Sequence, residues 1–227
     1  MKTIAALLIK QCKDSLHNLP SLMILIIYPA VAFIMSTAMQ GEEKMGDIFI
    51  PMFAAMHCSF APLVISSNIL SEEKEKGTLR SLVMAGVSRI QYLVSLFIFV
   101  LIAVMLTGSA FLLMKPVTSF YAEAFAAAML LGSAVSAVIG MCIGLYSKNV
   151  TAANGIAVPV GLVFALLPML GQFNSSLSKA AEFTYSGQLR TVFEGGGFTT
   201  QTWLVSVAYL AALSFLLVIL FRRKRLE

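Results

Sequence analysis

Residues 71–80 read SEEKEKGTLR, with six charged side chains among ten in a chain that is only 12% charged overall. An apolar run over 48–70 leads into this stretch, and another follows from about residue 92. Counting outward, six runs have membrane length, at about 21–40, 48–70, 92–114, 121–146, 152–172 and 202–221. A hydrocarbon layer about 30 Å thick needs about 20 apolar residues per helix. Mean hydropathy of +0.88 and 59% hydrophobic residues agree, since an average soluble domain is about 25% charged. The fold class expected is therefore all-α: a single polytopic membrane domain over 1–227 with six transmembrane helices. The first run is too long, and followed by too many others, to be a cleaved signal peptide.

Orientation follows from the basic residues. With a cytosolic N-terminus, the inner segments hold Lys2, Lys10, Lys13, Lys74, Lys76, Arg80, Arg89, Lys148, Arg222, Arg223, Lys224 and Arg225. The outer segments hold Lys44, Lys115, Lys179 and Arg190. The positive-inside rule then puts both termini in the cytosol. The net charge of +5 suits flanks attracted to anionic headgroups, and nothing points to nucleic acid. Cys12, Cys58 and Cys142 show no metal-ligand spacing and read as small apolar fillers.

Residues 2–18 predict an amphipathic interfacial helix, with Ile4, Leu7, Leu8, Cys12, Leu16 and Leu19 on one face and Lys10, Lys13, Asp14 and His17 on the other. Pro20 opens the first span, where a missing N–H does no harm. After the charged stretch, Leu79, Leu82 and Val83 make a narrow apolar stripe on a short helix ended by Gly86, which suits a left-handed cap. Ser88 and Gln91 fit a capping box at the start of the third span, with Val87 and Tyr92 placed as a hydrophobic staple. Short helix, sharp stop and new helix together specify a rigid corner.

In the fourth span Ala128, Gly132, Ser136, Gly140 and Gly144 recur every four residues, a small-residue row that lets backbones approach closely. Packing within the chain is the favoured reading over dimerisation. Pro29, Pro51, Pro62, Pro159 and Pro168 fall in the first, second and fifth spans, and each removes a helical hydrogen bond. The segment 173–201 is too long for a bare connector. Its stripe of Tyr185, Leu189, Val192 and Phe193, flanked by Glu182, Arg190 and Glu194, predicts one or two short helices broken by Gly195, Gly196 and Gly197. No Asp, Glu, Lys or Arg falls near a bilayer midplane, which argues against proton or sodium coupling. His57, midway in the second span, is the one ionisable group at depth. It is a functional candidate by default, and a neutral imidazole bonded to a neighbouring helix accounts for it equally well. His57, Ser59, Ser66 and Asn68 are the polar groups that would face a substrate path.

The segment SEEKEKGTLRSLVMAGVSRIQYLVS resembles the cytosolic loop of the type-2 ATP-binding-cassette exporter permeases, where an E-K-E-x-G-T-L run precedes a short coupling helix. Glu73, Lys74, Glu75, Gly77, Thr78 and Leu79 carry the match, with Ser88 and Arg89 at the next turn. The resemblance implies that Glu72, Glu73, Lys74, Glu75, Gly77, Thr78, Leu79, Arg80, Leu82 and Arg89, within a cytosolic loop over 71–91, couple the chain to an ATPase subunit. It implies exterior gate helices within 173–201, built on Tyr185, Leu189 and Phe193. It also implies a second permease copy or a related permease, in a bacterial plasma membrane. No G-x-x-x-x-G-K-[ST] loop is present, so the chain is not itself an enzyme; ATP and magnesium would bind the separate subunit. The cargo expected is amphipathic or lipophilic: a peptide antibiotic, drug or lipid-like molecule. The alternative is a non-transporting immunity or sensor protein that binds a toxin or peptide at its outer loops.

Overall fold

A computed structural model describes residues 2–39, 43–114 and 119–223, and every structural statement below concerns these. Ten α-helices follow in order: α1 (Lys2–His17), α2 (Leu19–Ala38), α3 (Glu43–Glu75), α4 (Thr78–Met84), α5 (Arg89–Gly108), α6 (Ser119–Tyr146), α7 (Val150–Leu170), α8 (Ser175–Glu182), α9 (Tyr185–Thr191) and α10 (Thr200–Arg223). A 3₁₀ turn (Ser109–Leu113) extends α5, and a π turn (Val192–Gly196) follows α9. No strand occurs among the described residues. Helices α2, α3, α5, α6, α7 and α10 are each long and apolar enough to cross a membrane, and their positions lie within a few residues of the six apolar runs.

The bundle is built around α3. Of its most apolar window 78% is buried, against 6% for α10, and it packs against α2, α5, α6, α7 and α9. Its main partner is α6, and the small-residue row explains how they approach. A Cβ on Gly140 would collide with the Leu63 carbonyl and Ser66 Oγ; one on Gly144 would lie 2.9 Å from the Ser67 carbonyl. A Cβ on Gly132 would meet Cys58 Sγ and Leu189 Cδ1, each at 2.8 Å. Serines then bond across the contact. Pro62 cannot donate to the carbonyl one turn back, that of Cys58; Ser136 Oγ donates to that carbonyl at 2.9 Å. In return Ser66 Oγ donates to the Ala137 carbonyl at 3.0 Å. A backbone acceptor freed inside an apolar bundle is thus satisfied by the neighbouring helix.

Two differences from the expected arrangement stand out. The charged residues up to Glu75 form the last turn of α3 rather than a loop. Helix α1 turns Leu7, Gln11 and Ser15 inward, packing along α5, with Gln11 Nε2 3.4 Å from Ser95 Oγ. Leu16 and Leu19 of the expected apolar face are exposed on the protein surface, as is Cys12, where lipid would meet them. An apolar side chain is satisfied by lipid as well as by protein, so hydropathy alone does not choose the packed face.

Candidate functional site

The site is the end of the bundle where α1 begins the chain, α3 ends, α5 starts and α6 turns into α7. Each charge in the last turn of α3 has its own target. Glu73 is buried and accepts from Lys10 Nζ on α1 and from Thr78 Oγ1, the first residue of α4. Lys10 also donates to Asp14 at 2.9 Å. Partial burial alone would lower the Lys10 pKa, but its bonds to Glu73 and Asp14 outweigh this and hold it above the ordinary 10.5. Lys74 Nζ donates to three carbonyls at the end of α6: Gly144 at 3.1 Å, Leu145 at 2.8 Å and Ser147 at 2.5 Å. These belong to the acceptors a helix C-terminus leaves unfilled, at its negative end. Glu75 accepts from the backbone N–H of Val150, the first residue of α7, at 3.0 Å, a carboxylate at a positive helix end. Glu72 pairs with Lys76 at 2.5 Å, and this pairing raises the Lys76 pKa. An open basin of about 810 Å³ lies beside these groups, between α1, the start of α2 and the end of α3.

The corner beyond α3 is built from three local devices. Gly77 takes a left-handed conformation (φ 69°) and starts α4. At the other end, Gly86 (φ 88°) closes a Schellman pattern: its N–H bonds to the Val83 carbonyl and that of Val87 to the Leu82 carbonyl, both at 3.0 Å. Ser88 and Gln91 then form a reciprocal capping box on α5, at 3.1 and 3.0 Å. Leu79 is buried beneath α4, with Leu82 half-buried beside it. Arg80, Ser81 and Met84 face outward. A groove of about 370 Å³ runs along this side, lined by residues including Lys74, Leu79, Arg80, Met84 and Arg89.

The remaining candidates lie inside the bundle. His57, Ser59 and Ser66 are fully buried. His57 Nε2 is 3.0 Å from Thr107 Oγ1 and 3.4 Å from the Val104 carbonyl on α5, and its ring sits against Tyr28 and Phe111. Ser59 Oγ donates to the Ala55 carbonyl at 2.8 Å, while Asn68 is half-buried. His57 and Ser66 thus tie α3 to neighbouring helices, whereas the Ser59 bond stays within α3 and the Asn68 side-chain oxygen has no hydrogen-bond partner among the described residues. At the opposite end, Tyr185, Leu189 and Phe193 plug the bundle between α3, α6, α7 and α10. The Tyr185 hydroxyl is 2.7 Å from Ser136 Oγ, and the Phe193 ring meets that of Phe125 at a 60° tilt, with centroids 4.8 Å apart. Arg190 fastens this plug to α7 through the Pro168 carbonyl at 2.6 Å and pairs with Glu194.

Sequence reasoning missed the role of Lys10, which it places only on the polar face of the N-terminal helix, and the internal targets of Lys74 and Glu75. Their partners lie 63 to 75 positions away, a distance at which no local pattern carries a signal. No group of three or more His, Cys, Asp or Glu among the described residues could hold a metal ion. Fold and composition make this a multi-pass helical membrane protein. No family model and no curated protein matches the chain.

Proposed function

We propose that this chain is the membrane-spanning permease subunit of an ATP-driven exporter of the type-2 ATP-binding-cassette class, moving an amphipathic or lipophilic cargo and working with a separate ATPase subunit. The observation that carries this reading is the fixed corner at the end of α3. A short helix, pinned by two glycines of positive φ and a capping box, is attached directly to the most buried helix. Such a part suits a load applied from outside the membrane. Excess Lys and Arg on the same segments supports a cytosolic position for α4 and for both termini. The ATPase would close on α4, and α3 would carry the displacement to the helices packed on it. The plug of α8, α9 and the π turn is the corresponding exterior gate, and a second permease completes the transporter. We assign the chain to a bacterial plasma membrane on the family resemblance.

The test is to solubilise tagged chain gently from native membranes and assay what accompanies it for ATP hydrolysis. Recovery of a stoichiometric ATP-binding-cassette subunit, with ATP-dependent cargo movement in vesicles, is the expected result. Recovery of the chain alone, with no hydrolysis, would sink the exporter reading and favour a non-transporting sensor or immunity protein.

A further inference from the structure

We infer that the basin between α1, the start of α2 and the end of α3 binds a zwitterionic phospholipid with a primary ammonium, of the phosphatidylethanolamine class. Its lining balances three basic side chains, Lys10, Lys13 and Lys76, against three acidic ones, Asp14, Glu72 and Glu73. A net anion gains little from such a lining, whereas a headgroup carrying both signs finds a partner for each. Among the described residues, Lys13 has no ion-pair partner and is free to meet a phosphate. Asp14 bonds only through Oδ2 and Glu72 only through Oε1, so each keeps a second carboxylate oxygen unfilled. Gln11, a lining residue only 2% exposed, has a buried Oε1 with no hydrogen-bond partner. Such an acceptor costs free energy until a donor reaches it. A primary ammonium brings three N–H donors to these oxygens. A quaternary ammonium brings none and is normally met by aromatic faces, but no Phe, Tyr or Trp among the described residues lines the basin.

Depth and surroundings make a membrane lipid the source of that headgroup. Counted from Ile48, where the apolar part of α3 begins, about 20 residues cross about 30 Å of hydrocarbon and end near residue 68. Ile69, Glu72 and Glu73 line the basin and lie within about the next 7 Å, the depth of one headgroup layer. An exposed apolar stripe leaves the basin along α2. Leu19 is part of the lining, and Leu19, Met23, Ile26 and Ile27 are all exposed, at the i, i+4, i+7 and i+8 positions of one helix face. Headgroup cradle and acyl-chain track are thus continuous. A water-soluble zwitterion would use only the first of them.

The experiment titrates tagged chain, purified and delipidated in a mild detergent, with phosphatidylethanolamine, phosphatidylglycerol and phosphatidylcholine of identical acyl chains. Native mass spectrometry counts the lipids retained. Wild type should favour phosphatidylethanolamine about tenfold or more over the other two, the scale of one hydrogen bond to a charged group. An Asp14→Asn/Glu72→Gln double variant keeps the side-chain shapes and removes the charges, and it should lose that preference. Asp14 is exposed and Glu72 half-buried, so the variant should still elute as a single species; the wild-type comparison stands by itself should it misfold. Phosphatidylcholine retained as well as phosphatidylethanolamine overturns the site, and phosphatidylglycerol retained best replaces it with an anion site. An undiminished preference in the double variant also overturns it. Displacement of the lipid by an equal concentration of water-soluble phosphoethanolamine overturns it in favour of the free compound. The site does not depend on the exporter reading, and none of these outcomes bears on that reading.

Discussion

Single residues show where this bundle tolerates change and where it does not. Gly140 and Gly155 are both helical glycines, yet their surroundings are opposite. A methyl at Gly140 would be driven into the Leu63 carbonyl and Ser66 Oγ, whereas a methyl at Gly155 meets nothing within 4 Å. Gly140→Ala should cost about 1–3 kcal/mol by overpacking, because the atom it meets is backbone and cannot swing aside. Gly155→Ala should be neutral or stabilising by up to about 1 kcal/mol, since alanine is the better helix former. Thermal unfolding of the two variants in the same detergent checks this, and equal losses would contradict the packing described for α6. The row of small residues was legible from its spacing alone. Which helix it meets was not, because spacing names a face and never its partner. His57 shows the same limit from the other side: its depth was evident, but its bond to Thr107 depends on how α3 and α5 sit together.

At the scale of elements, the corner from Gly77 to Gln91 follows almost entirely from local chemistry. Glycine at the left-handed positions and the Ser-x-x-Gln box act over three or four residues, so their signals survive in the sequence. The inward face of α1 did not survive, because lipid and protein compete for the same leucines. Ser88→Ala removes the side-chain acceptor of the Gln91 N–H and half of the reciprocal box. It should lower local stability by about 1 kcal/mol. Amide exchange over the first turn of α5 should rise several-fold at that magnitude, with the centre of α5 unchanged. A protected first turn in the variant would mean that packing, and not the cap, holds the corner. The charged turn of α3 was misread as a solvent-facing loop for a related reason. Charge normally signals water, but here the targets are helix ends, which are charged in effect and invisible to residue type.

For the whole molecule, α1, the end of α3, the start of α5 and the α6–α7 turn share one end of the bundle through Lys10, Gln11, Lys74 and Glu75. The plug of α9 and the π turn closes the other. The three native cysteines report on this arrangement, with Cys12 exposed and Cys58 and Cys142 buried. In intact membranes, a membrane-impermeant maleimide should label Arg80→Cys from the cytosolic side only and Phe173→Cys from the outer side only, with Cys58 and Cys142 silent. Labelling of both introduced positions from one side would break the six-crossing topology. Six crossings were readable because each needs only a long apolar run, whereas their order around α3 is set by contacts between distant segments. Neighbouring residues of opposite sign on α3, Lys74 and Glu75, grip the end of one helix and the beginning of the next. They key the shaft against its housing, as a spline does. Turning α3 about its own axis would break both grips at once, so rotation costs more than a motion that keeps them. A push at the corner that spares both grips tilts α3 and carries α6 and α7 with it.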